Sequence, residues 1–226
     1  MNQSTLSNNF VKSSVNPWLI RLVYPLGCQL IIPFFFGRIT VTGRENIPAT
    51  DPVIVTPTHR SRWDALIVPY AVGRLVSGRD LRFMVMSTEM TGMQGWLIRH
   101  LGGFPVDVNR PRLDSLEHSV NILKQGEMLV IFPEGGIFRD NQVHPLKRGV
   151  ARIALEVESQ KPNCGIKILP ISVRYTNPYP NWGTDVVVKI ETPIDVSKYH
   201  QQPMKSGSAK LIHDLEIILK NLYEIQ

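Results

Sequence analysis

The stretch VIVTPTHRSRWDALIVPY, residues 53–70, passes from one kind of backbone to another within a few residues. Val53 to Val55 form an unbroken apolar run, the pattern of a strand covered on both faces, and the residues from about Ser61 onward have helical character. A buried strand that feeds a short turn and then a helix is the unit of a largely parallel α/β sheet. Such sheets place ligands beyond the carboxyl ends of their strands, and His59 stands at that end. Asp64 follows five residues later. On one continuous helix the two would lie about 140° apart and could not meet. With His59 just before the helix and Asp64 in its first turn, the carboxylate can reach back to one ring nitrogen and leave the other free. That makes a two-member relay, in which Asp64 orients the imidazole and stabilises its protonated form. Ser61-x-x-Asp64 also has the spacing of a capping box, in which Asp64 would only satisfy amides at the helix start. Spacing alone leaves both readings open.

Outward from this stretch the alternation repeats. Runs at Ile39–Val41, Val53–Val55, Arg82–Met86, Phe104–Val106, Met128–Phe132, Ile166–Val173 and Val186–Ile190 predict strands. Between and after them, Leu113, Leu116, Val120 and Leu123, then Val150, Ile153, Ala154 and Val157, then Leu211, Leu215, Ile218 and Leu222 recur at helical spacing. The expected fold is α/β, with a mixed, largely parallel sheet flanked by helices. Pro170, inside one predicted strand, argues for an edge or a bulge there.

A second constellation is MLVIFPEGGIFRD, residues 128–140. Pro133 ends the ladder and sets Glu134 at the sheet edge proposed for His59, followed by Gly135 and Gly136. Glycines let backbone N–H groups turn toward an anion, and a carboxylate beside them can accept hydrogen bonds from substrate hydroxyls. Arg139, Lys147 and Arg148 add positive charge nearby. In LGGFPVDVNRPRLDSL, residues 101–116, Arg110 emerges at a predicted strand end, where a guanidinium suits either a phosphate or a surface ion pair. The other histidines are scattered without metal-ligand spacing, so no metal site is expected.

The amino-terminal part differs in kind. WLIRLVYPLGCQLIIPFFF, residues 18–36, approaches the length of a membrane span with Arg21 as its only charge. Pro25, Gly27 and Pro33 interrupt it, which favours two short helices resting in one leaflet over one straight spanning helix. A buried helical hairpin is the alternative. Residues 15–37 are therefore expected to form a membrane-associating helical hairpin, residues 1–14 a Ser/Asn-rich disordered leader, and residues 38–226 one domain. The chain's 226 residues, 43% hydrophobic, suffice for one sizeable core. A net charge of +6 favours an anionic partner, while the absence of basic clusters interleaved with aromatics argues against nucleic acid. Two distant cysteines outside any CxxC pair suit a reducing compartment, and the leader lacks the pattern of a secretory signal. The cytoplasmic face of a membrane, with peripheral or monotopic attachment, is the expected location.

Taken in order, THRSRWD, GGFPVDVNR, FPEGG and ILPISVRY, spread over residues 58–175, resemble the four blocks of the glycerolipid acyltransferase family that includes the 1-acylglycerol-3-phosphate acyltransferases. The resemblance extends to ITVTGRENIP, LKRGVARIALE and VVVKIETPID, and so covers most of the chain. It implies that His59, oriented by Asp64, deprotonates an acceptor hydroxyl, which attacks the thioester of acyl-CoA or acyl-acyl-carrier-protein without a covalent enzyme intermediate. It implies that Glu134 and Gly135 hold the acceptor, that Arg110 meets its phosphate, that no cofactor is needed, and that membrane lipid and the acyl donor, as acyl-CoA or on an acyl carrier protein, are the partners. Gly136, Arg139 and Lys147 are candidate substrate-binding residues from the local reading alone. Two departures bear on the acceptor. The family's third block usually continues with threonine and arginine, where Gly136 and Ile137 stand here. In the second block its arginine usually follows the aspartate directly, where Val108 and Asn109 intervene before Arg110.

Overall fold

The structure, a computed structural model, describes residues 15–107 and 113–224. The leader expected over residues 1–14 lies outside them. Eight strands form one sheet: β1 (Ile39–Thr42), β2 (Val53–Pro57), β3 (Leu81–Met86), β4 (Gly103–Val106), β5 (Met128–Val130), β6 (Lys167–Tyr175), β7 (Val186–Ile190) and β8 (Ile194–Asp195). Their order is β1-β7-β6-β2-β5-β3-β4, with β8 beside β6. Every pairing is parallel except β6 with β7 and β6 with β8. This is the mixed, largely parallel sheet that the strand-helix alternation predicts.

The helices are α1 (Pro17–Phe35), α2 (Asp64–Val72), α3 (Arg74–Ser77), α4 (Gly92–His100), α5 (Leu113–Lys124), α6 (Gly149–Gln160), α7 (Ser197–His200) and α8 (Met204–Glu224). They divide between the two faces of the sheet as alternating side chains require. In β2, Ile54 joins the core made with α5, α6 and α8, whereas Val53 and Val55 join the one made with α1 and α2. All five residues of β2 are buried, as a central parallel strand demands.

Two expectations are corrected. In place of a hairpin over residues 15–37, one helix runs from Pro17 to Phe35, with a π-helical segment at Leu26–Ile31. The Ile32 N–H reaches the Gly27 carbonyl, five residues back, so the turn widens just before Pro33 and absorbs the ring that would break a regular α-helix. The N-terminus is capped by Asn16, whose Oδ1 accepts the N–H groups of Trp18 and Leu19 at 3.1 and 3.2 Å. Ile20, Tyr24, Cys28 and Ile32 are buried against the sheet, while Trp18, Leu22, Leu26, Leu30 and Phe34, two residues out of phase, are exposed. The helix is long and apolar enough to cross a membrane, yet one whole face packs on the domain. The second correction concerns Pro170, which lies in the interior strand β6 and not at an edge. It sits where the antiparallel neighbour changes from β8, opposite Lys167 and Ile168, to β7, opposite Ile171 onward. The missing N–H therefore falls in a gap between ladders, and the Pro170 carbonyl still accepts from Glu191 N–H at 3.0 Å.

Candidate active site

β2 extends past Pro57 through Thr58, whose N–H donates to the Ile171 carbonyl at 3.0 Å and whose Oγ1 accepts the Val173 N–H at 2.9 Å. This lock on β6 delivers His59 to the carboxyl edge of the sheet with its backbone held at both ends. Its N–H donates to Glu134 Oε2 at 3.0 Å, and its carbonyl accepts from Phe138 N–H at 2.9 Å. The ring lies flat on Phe132, with centroids 3.9 Å apart.

His59 Nδ1 is 2.9 Å from Asp64 Oδ2. Asp64 is fully buried, and its carboxylate is satisfied by further donors: Arg60 N–H at 2.6 Å and Ser61 N–H at 2.8 Å on Oδ2, and Tyr175 O–H at 2.6 Å on Oδ1. A buried carboxylate is tolerated only with such a full set of donors. The reciprocal capping box is not formed, since Asp64 N–H goes to the Ser61 carbonyl and Ser61 Oγ accepts from Trp63 N–H, but the Asp64 carboxylate does satisfy amides leading into the helix while it holds the imidazole. Burial, and then the charge of Asp64, push the Tyr175 hydroxyl well above the usual tyrosine range, which keeps it a donor. A carboxylate facing Nδ1 places the ring proton there and leaves the Nε2 lone pair free.

His59 opens onto a cavity of about 790 Å³. Phe83, Met84, Val106, Leu116 and Ile131 contribute an apolar wall, and Lys147, Arg148, Arg152 and Lys205 bring positive charge. Arg62 also lines it, paired with Glu89 at 2.6 Å. The combination suits an amphiphile with an apolar chain and an anionic group.

The other sequence-predicted residues part company. Gly135 and Gly136 line the cavity, as does Lys147. Gly135 has φ of 74°, a conformation that favours glycine, and its N–H is taken by the Phe132 carbonyl at 3.1 Å. Glu134 corrects the expectation that it meets the acceptor. Its side chain is fully buried, with Oε2 accepting from His59 N–H, Oε1 accepting from His144 N–H at 3.0 Å, and both oxygens bonded to Arg60 Nη1. Every lone pair that could greet a substrate is spent on the protein. Arg139 is exposed, rests over the Tyr179 ring at 4.9 Å and is not among the cavity-lining residues. Arg110 lies outside the described residues. Sequence reasoning missed Arg60, buried as the partner of Glu134, and Tyr175, the second support of Asp64. Both sat in quoted blocks, but a charged residue next to His59 and a tyrosine at a strand end carry no linear signal of burial.

With this geometry in place, the chain matches a family model described as Acyltransferase over residues 38–174, more than half of its length. It is 26% identical over 179 residues to the chloroplastic 1-acyl-sn-glycerol-3-phosphate acyltransferase of Arabidopsis thaliana, a match covering 74% of this chain and 46% of that protein. It is 28% identical over 161 residues to the 1-acyl-sn-glycerol-3-phosphate acyltransferase of Streptococcus pneumoniae, covering 68% of this chain and 54% of that one. The matches thus span about half the length of these relatives. The fold is similar to that of the 1-acyl-sn-glycerophosphate acyltransferase PlsC from Thermotoga maritima, with a TM-score of 0.66 and 22% identity over 99% of this chain and 83% of that one. The matched residues 38–174 contain His59, Asp64 and Glu134, and on that match the chain belongs to the acyltransferase family.

Proposed function

We propose that this protein transfers a fatty acyl group from acyl-CoA or acyl-acyl-carrier-protein to the free hydroxyl of 1-acylglycerol-3-phosphate, forming phosphatidic acid for phospholipid synthesis. The observation that carries the reading is an imidazole fixed through Nδ1 by a buried carboxylate, with Nε2 free, at a cavity that is apolar on one wall and cationic on another. Nε2 takes the proton from the acceptor hydroxyl as its oxygen attacks the thioester carbonyl. The C–O bond forms, the C–S bond breaks, and the imidazolium returns the proton to the departing thiolate, with Asp64 stabilising the charged ring between the two steps. No cofactor beyond the donor takes part. Lys147 and the neighbouring cations meet the acceptor's phosphate, and Gly135 and Gly136 let it approach the backbone. The protein rests as a peripheral or monotopic protein on the cytoplasmic face of a membrane, with the exposed stripe of α1 turned to lipid. Membrane lipid and the acyl donor, free as acyl-CoA or borne on an acyl carrier protein, are the partners, and nucleic acid is not.

A different lipid acceptor of the same reaction is favoured by one observation: Arg139 lies over Tyr179, away from the cavity, and Gly136 and Ile137 offer no side-chain donor in place of a Thr-Arg pair. A panel of acceptors given with a labelled donor separates the two readings. Phosphatidic acid formation, inhibited by glycerol 3-phosphate analogues, supports the first. Product from neutral lipids alone supports the second, and no product with any donor or acceptor rejects both.

A further inference from the structure

We infer that Tyr223, at the end of α8, is a positioning residue for His59, acting through the guanidinium of Arg60. The proposal rests on His59 being the base. Arg60 is an unusual residue to bury beside a reacting group, with only 4% of its side chain exposed. Its edges are spent on the Glu134 carboxylate and on backbone carbonyls. Nη1 donates to Glu134, to the His59 carbonyl at 3.1 Å and to the Phe138 carbonyl at 3.3 Å, while Nη2 donates to the Gln142 carbonyl at 3.0 Å. Nε is buried without an acceptor among the described residues. What compensates the cation further is its flat face, which lies over the Tyr223 ring with Cζ 4.2 Å from the centroid. In a site closed to water the electron-rich face of a ring stabilises a guanidinium more than it would at the surface.

Tyr223 is itself clamped from three sides. Its hydroxyl donates to the Asp140 carbonyl at 3.0 Å, and its own carbonyl accepts from Arg174 of β6, whose Cζ lies 4.8 Å from the same ring. The next residue, Glu224, accepts the Val143 N–H at 2.8 Å. The last turn of α8 therefore ties β6 to the segment running from Glu134 to Val143, which both grips the backbone of His59 and supplies Gly135 and Gly136 to the cavity. Tyr223 lies outside the stretch that matches the family model. Removing the ring frees Arg60, then Glu134, and the imidazole loses its fixed placement while the apolar wall of Phe83, Met84, Leu116 and Ile131 is untouched.

The test uses the full chain and compares Y223L with Y223F. Y223L is expected to lose about tenfold to a hundredfold in kcat, the scale of a small misplacement of a reacting group, with KM for the donor changed by less than about twofold. Y223F keeps the ring and is expected to restore most of the loss. Adding Y223L to H59A is expected to cost nothing more, since the base is already gone. Wild-type kcat in Y223L, or the same factor lost in the H59A background, overturns the proposal. R60K keeps the charge but offers no planar face to the ring. It carries the same expectation if Y223L fails to fold by circular dichroism, and wild-type kcat in R60K would then overturn the proposal. Nitrogen-15 NMR of His59 separates this claim from the function itself. A wild type inactive on every acceptor rejects acyl transfer, yet the spectrum still decides positioning: a single Nδ1–H tautomer in wild type turning to a mixture in Y223L supports it, and an unchanged spectrum overturns it.

Discussion

At the scale of single residues, Asp64 answers a question that its spacing leaves open. One carboxylate satisfies the amides that lead into α2 and holds His59, because Oδ2 accepts from Arg60 and Ser61 N–H and from Nδ1 at once while Oδ1 turns to Tyr175. The five-residue separation and the place of His59 after a buried strand were legible in the sequence. The inward turn of Glu134 was not, since its fate depends on Arg60, a cation that nothing in the local sequence marks as buried. Tyr175 makes a prediction at this scale. Its hydroxyl, like that of Tyr199, which burial and the bond to Asp214 push up to about 12, holds its proton more tightly in the folded chain than in the unfolded one. The stability it contributes is complete below the unfolded value of about 10 and is lost as the pH climbs above it. Denaturant titrations between about pH 9 and 11 should therefore show stability falling with pH. The slope should be shallower in Tyr175→Phe. An identical slope in that variant would remove Tyr175 from the account.

Elements follow rules that local sequence states only in part. The strands were legible because β-branched runs must be covered on both faces in a parallel sheet. Pro170 misled because an edge is only one way to dispense with an N–H, and a gap between the β8 and β7 ladders is another. The prolines of α1 misled for a related reason: a π-helical turn before Pro33 keeps the helix continuous where two helices were expected. The resulting helix has two apolar faces with different tasks. Ile20, Tyr24, Cys28 and Ile32 are buried, whereas Leu22 and Leu30 are 67% and 62% exposed. Replacing both leucines by glutamate should leave the melting temperature nearly unchanged. It should remove about 2 kcal/mol of membrane partitioning per leucine. Co-sedimentation with lipid vesicles reads this directly, and undiminished binding would mean that another surface docks the protein.

The whole molecule is where the sequence says least. No linear pattern reveals that β2 sits beside β5 and β6, that α5 and α6 wall the cavity, or that Tyr223 returns to the far side of Arg60. These juxtapositions arise from the crossovers of the sheet, which bring the carboxyl ends of β2, β3, β4 and β5 to one edge and set His59 between an apolar wall and a cationic one. The fold class was legible because it depends on alternation, whereas the cavity depends on which strands become neighbours. The central claim is that this arrangement transfers an acyl group to a lipid hydroxyl, with Nε2 of His59 taking that hydroxyl's proton. Its most direct test is the rate of phosphatidic acid formation from a labelled acyl donor and lysophosphatidic acid in vesicles, compared between the wild type and His59→Ala. The account predicts turnover by the wild type and a fall of about 10² to 10⁴ in the variant, with vesicle binding unchanged. Equal rates in the two proteins would contradict it.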